Sequence, residues 1–159
     1  MEELANVEIN VLNEVILLLM WLGIYGSMAF AAIGSMAGCS IAGKAAAGAM
    51  LELESGYAKY SGVAAMPASQ IIYGFVVMFT LMGLDRNVTS AAAIAVIGIT
   101  VGLVLMYNAI KQGQVIAAGF KVAKSKPEVF VFASIIPAAV VEGFAVFAFI
   151  FALIVIGTI

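Results

Sequence analysis

The sequence predicts an all-α membrane protein with four transmembrane helices, and three observations carry that prediction. Hydrophobic residues make up 65% of the chain and charged ones 10%, with a mean hydropathy of +1.18, whereas a soluble domain is about 45–50% apolar. The few ionisable residues are clustered, leaving four apolar stretches near 15–43, 61–84, 88–110 and 129–157, each with the roughly 20 residues a spanning helix needs. The last stretch nevertheless holds an acid, Glu142, inside the run from Val129 to Ile156. An uncompensated carboxylate at that depth costs roughly 2.5–3.5 kcal/mol or more.

Taken in order, span 1 follows Glu2, Glu3, Glu8 and Glu14 with no basic residue before it. A secretory signal opens with positive charge, so this span is expected to be retained. Its small residues Ser27, Ala31, Gly34 or Ser35, Gly38, Ala42 and Ala45 or Ala46 recur near a four-residue step, the pattern that lets backbones approach closely in lipid. The first connection carries Lys44, Glu52, Glu54 and Lys59. Span 2 contains Pro67, which has no N–H to give the carbonyl of Val63, so the helix should bend or loosen there. Beyond the proline, Ser69, Gln70 and Tyr73 share a helical face with Met66 by i, i+3, i+4 and i+7 spacing. Asp85 and Arg86 mark the turn into span 3, where Gly98, Gly102, Ala109, Gly113 and Ala117 repeat the small-residue seam. Lys111 to Glu128 forms the last charged cluster before span 4. The two seams suit packing inside one four-helix chain, or a crowded inner wall where spans 1 and 3 of many copies meet.

The chain reads as a single membrane domain, 1–159, built from two copies of one hairpin, about 11–84 and 88–159. Gly38-Cys-Ser-Ile-Ala-Gly43 aligns with Gly113-Gln-Val-Ile-Ala-Ala118 at an offset of 75, and Met66-Pro-Ala-Ser69 aligns with Ile136-Pro-Ala-Ala139 at an offset of 70. Six of the seven basic residues lie in or beside the 1–2 and 3–4 connections, and only Arg86 lies in the 2–3 turn. Positive charge favours the cytoplasm, which would put both hairpin loops inside and both termini outside. Cys39 is the single cysteine, which excludes an internal disulfide, and there is no histidine. A net charge of −2 without a basic run gives no support for a nucleic-acid partner.

Function is expected at Glu142, because an ionisable residue inside a membrane span marks a site by default. Pro127 lies fifteen residues from both Gln112 and Glu142. A chain reversal there brings amide and carboxylate to similar depth. The candidate set is then Ser69, Gln70, Gln112, Glu142 and Tyr73 with a carbonyl near Pro67: hard oxygen donors carrying one negative charge, without imidazole or thiolate. That chemistry suits a monovalent hard cation rather than a transition metal. Lys111 is a rival partner for Glu142, but adjacent helix positions diverge by about 100°. It is expected to snorkel toward the cytoplasmic headgroups.

These residues resemble the rotor-ring proteolipid, the c or K subunit, of sodium-pumping V-type ATPases. The resemblance rests on Met66-Pro-Ala-Ser-Gln-Ile-Ile-Tyr-Gly74, Lys111-Gln-Gly-Gln-Val-Ile-Ala-Ala-Gly119 and Val140-Val-Glu-Gly-Phe144, and on a carboxylate kept only in the second copy, where Ile72 stands opposite Glu142. Ser69, Ala68 and Met66 stand where the family commonly has threonine, glycine and leucine. The resemblance implies Na+ as the transported ion, held by the carbonyl of Met66 and the side chains of Ser69, Gln70, Gln112 and Glu142, with Tyr73 hydrogen-bonded to the glutamate. It further implies a ring of identical copies in lipid, a static membrane subunit with half-channels, central-stalk subunits at the cytoplasmic loops, and a prokaryotic cell membrane. Nothing in the chain reads as a nucleotide-binding loop of the Gly-rich, Lys-Ser/Thr type, so ATP chemistry is expected from partner subunits and no organic cofactor from this chain. Two alternatives stay open. One is a proton-carrying ring of the same family. The other is a small four-helix cation or drug antiporter, in which the glutamate would usually sit on the first helix beside aromatic side chains.

Overall fold

The computed structural model describes residues 2–52 and 55–159; Glu54, counted above in the first connection, lies outside them. The order is helix α1 (Glu2–Met50), α2 (Tyr57–Ala64), a 3₁₀ turn (Met66–Ala68), α3 (Ser69–Met82), α4 (Val88–Ser125), a 3₁₀ turn (Pro127–Val129), a π turn (Val131–Ile135) and α5 (Ile136–Ile156). No strand occurs among the described residues. Four segments are long and apolar enough to cross a membrane: Asn6–Met50, Tyr57–Met82, Val88–Ser125 and Val131–Ile156. The chain is an all-α, multi-pass membrane protein.

Helix length departs from the apolar limits. α1 has 49 residues and α4 has 38, which at about 1.5 Å per residue is roughly 73 and 57 Å against a hydrocarbon core of about 30 Å. The reason is local. Lys, Ala and Gln continue a helix as readily as Leu does, so α4 runs on through Lys111 and Lys121 until Lys126 and Pro127 end it. Its start is sharper, because the Asn87 side chain accepts the Ser90 N–H at 3.0 Å and caps an otherwise unpaired donor.

Both intramembrane prolines disturb their helices, each in its own way. At Pro67 the α-helix tightens into a 3₁₀ turn, and the Ala65 N–H bonds back to Gly62. Before Pro137 the backbone widens into the π turn. Either change re-pairs backbone groups that a proline would orphan.

Packing is organised by α1 and α4, which run parallel with their backbones in contact. Gly23 lies against Ala95 and Gly98, Gly34 against Met106, and Gly38 against Ala109 and Gly113. At Gly23 an added Cβ would sit 2.5 Å from the Ala95 Cα. The two seams thus meet each other within one chain. α3 crosses α1 where Gly74 faces the Ser27 carbonyl, and the π turn before α5 meets α4 where Gly119 abuts Ser134.

The interior forms two apolar clusters. One gathers Met20, Ile24, Leu81, Ile94 and Leu105; the other holds Tyr60, Ile116, Phe120 and Phe130, the three aromatics with ring centroids 4.9–5.7 Å apart. Between them lies a buried polar layer containing Ser35, Gln70, Asn108 and Gln112. Outward, Phe75, Phe79, Phe144, Phe147 and Phe151 are exposed, as lipid-facing side chains would be.

At the loop end, Lys124 pairs with Glu52 at 2.7 Å, with a third and just over half of the two side chains exposed (33% and 56%). Water and counter-ions screen such a pair, so Lys124→Ala is expected to change stability by less than about 1 kcal/mol, read as a small shift in thermal unfolding in detergent.

Candidate functional site

The network around Glu142 is assembled from three helices. The 3₁₀ turn at Pro67 delivers Ser69 and Gln70 to the start of α3, with Tyr73 one turn further on. Gln112 comes from α4 and Glu142 from α5. The expected depth match between amide and carboxylate is present: Gln112 Nε2 donates to Glu142 Oε2 at 3.2 Å. The Tyr73 hydroxyl donates to Glu142 Oε1, also at 3.2 Å. Each oxygen of the half-buried acid is therefore held by a donor from a different helix.

On the other side, three oxygens converge. The Ser69 hydroxyl donates to the Met66 carbonyl at 3.1 Å and reaches Gln70 Oε1 at 3.2 Å. Gln70 Nε2 turns the opposite way and donates to Gln112 Oε1 at 3.0 Å. Gln112 Nε2 also donates to the Ala138 carbonyl at 3.1 Å. The structure thus brings Met66, Ser69, Gln70, Gln112, Tyr73 and Glu142 into one connected network beside the buried Pro67 ring. A backbone carbonyl can only accept, so the Ala138 contact fixes which end of the Gln112 amide faces α5.

One member of this network, Asn108, lies outside the expected set, and a second buried residue, Ser35, braces α3 beside it. Asn108 accepts from Gln70 Nε2 at 2.8 Å and donates to the Val141 carbonyl at 2.7 Å. The available signal was its spacing: it lies four residues before Gln112, hence on the same helical face. Ser35, read only as a small seam residue, accepts the Ile71 N–H at 3.1 Å and ties α1 to α3. Among the described residues no buried side-chain polar atom lacks a partner. Such completeness matters because an unpaired buried polar group costs about 1–3 kcal/mol.

The Lys111 ammonium lies 5.0 Å from the centre of the Tyr107 ring, one turn back along α4. Helical side chains lean toward the N-terminus, and a cation over an aromatic face is attracted to it. No hydrogen bond or ion pair joins Lys111 to Glu142.

No protein-family model matches the chain. It is an integral, multi-pass membrane protein similar to the V-type sodium ATPase subunit K of Enterococcus hirae, with 28% identity over 130 residues that cover 80% of this chain and 83% of that one.

Proposed function

We propose that the chain is the rotor-ring proteolipid of a V-type ATPase and that it carries Na+ across the membrane on Glu142. The observation that carries this reading is the meeting of three oxygens, Met66 O, Ser69 Oγ and Gln70 Oε1, with a network that ends on a lone intramembrane carboxylate. A monovalent cation among those oxygens would cancel the Glu142 charge without leaving a net charge in lipid. Gln112 Oε1 has a second lone pair beyond the one that Gln70 uses, so it can join the ligand set. The likeness to a subunit of a sodium ATPase supports the same reading.

In this mechanism the chain's residues load, shield and release the ion. Tyr73 and Gln112 hold the carboxylate in one rotamer while the site is hidden from water. Release requires a stronger competing cation from a static neighbouring subunit, which would draw Glu142 away from its ligands. Moving each ion against the membrane potential takes about 2.3 kcal/mol per 100 mV, supplied as torque from ATP hydrolysis on partner subunits. Copies of the chain form a closed ring in a prokaryotic cell membrane, with the hairpin loops cytoplasmic, where central-stalk subunits would meet them, and both termini outside. The parallel α1 and α4, meeting at sequence offsets close to 75, are what two duplicated hairpins would give.

The antiporter reading finds no support in Trp21, which lies beside the turn that follows α3, with the Arg86 guanidinium 5.6 Å from its ring centre.

Carbodiimide modification of Glu142 tests the ion. The reagent attacks only the protonated acid, so Na+ at fixed pH is expected to slow labelling in proportion to site occupancy. Labelling that ignores Na+ would favour the proton-carrying ring.

A further inference from the structure

Among the described residues, Asn108 is the one buried amide that neither the family resemblance nor the proposed ligand set uses, yet it makes the two shortest side-chain hydrogen bonds in the site, 2.8 Å to Gln70 and 2.7 Å to Val141. Its orientation can be deduced rather than assumed. The Val141 carbonyl can only accept, so the Asn108 nitrogen must face it. The Asn108 oxygen is then left facing Gln70, and an acceptor there requires the Gln70 nitrogen. Gln70 Oε1 must consequently point away from α4, toward the Ser69 hydroxyl that also touches the Met66 carbonyl. A free glutamine amide flips at little cost, and a flipped Gln70 would present nitrogen, a poor partner for a cation, to the oxygen cluster.

We propose that Asn108 is a positioning residue: anchored on the Val141 carbonyl of α5, it joins Gln112 Oε1 in accepting from Gln70 Nε2 and so keeps the Gln70 oxygen, not its nitrogen, facing the ion. This rests on the sodium reading above. Asn108 acts through Gln70 and does not itself touch the ion. Its backbone anchor is also one residue from Glu142, so the Gln70 amide and the carboxylate are referenced to the same turn of α5.

The test is a double-mutant cycle in the assembled protein, with the Na+ concentration that half-protects Glu142 from carbodiimide as readout. Loss of one positioning hydrogen bond is expected to raise that concentration about tenfold in Asn108→Leu. In a Gln70→Leu background, where no amide is left to orient, Asn108→Leu should add nothing further. Asn108→Ser, too short to bridge Gln70 and Val141, should reproduce the shift and serves if the leucine variant does not assemble. Unchanged half-protection in both variants, or a shift that persists in full on Gln70→Leu, overturns the proposal and leaves the sodium reading standing. A wild-type chain whose labelling ignores Na+ overturns both.

Discussion

Glu142→Gln is expected to abolish Na+ translocation while leaving the chain folded. The substitution keeps side-chain length and an oxygen that can accept from Tyr73, and it removes a charge whose burial costs roughly 2.5–3.5 kcal/mol or more. Insertion should therefore be at least as favourable as in the wild type, with the loss confined to the Gln112 N–H that no longer finds an acceptor at Oε2. Cation binding loses its counter-charge, however, and an ion bound there would leave one positive charge in the membrane, so occupancy should fall by more than about 100-fold, the equivalent of that same burial cost. The measurement is ATP-driven uptake of radioactive sodium into vesicles, alongside thermal unfolding as a folding control. Uptake that survives the substitution would remove Glu142 from the mechanism.

The second large effect concerns the α1–α4 seam. Gly98→Val is expected to cost at least about 3 kcal/mol, the upper range of overpacking, because its Cβ would collide with the Gly23 backbone. A flexible side chain could swing aside; a helix backbone cannot. The two helices would have to separate along the seam, and the register that sets the polar layer would go with it. Gly43 is the matched control, since a Cβ there meets nothing within 4 Å. Gly43→Ala should be neutral or slightly stabilising, given that alanine favours a helix by about 1 kcal/mol over glycine. Comparing the melting temperatures and detergent-extracted yields of the two variants separates loss of close approach from loss of glycine itself.

The four spans were legible because charge clusters punctuate the apolar stretches. Their full helical lengths were not, since hydropathy reports where lipid contact stops rather than where a helix stops. The meeting of Gln112 with Glu142 could be read from their equal distance to Pro127, and the face shared by Ser69, Gln70 and Tyr73 from helical spacing. Asn108 escaped because its partners lie on two other helices, and only the register between α3, α4 and α5 brings Gln70 and Val141 to it. The π turn escaped as well. A proline announces a disturbance, but whether the backbone tightens, as at Pro67, or widens, as before Pro137, depends on the neighbours that re-pair its carbonyls.

The sandwiching of the polar layer between two hydrocarbon clusters acts as insulation. Anything seated at Glu142 meets close-packed side chains lengthwise in both directions, with Leu105 and Ala145 on one hand and Ile116 and Ala138 on the other. Glu142 itself stays half-buried between those clusters. In the proposed mechanism an ion would therefore reach the acid from the side, and a lone subunit would offer no axial conduit through which a gradient could short-circuit.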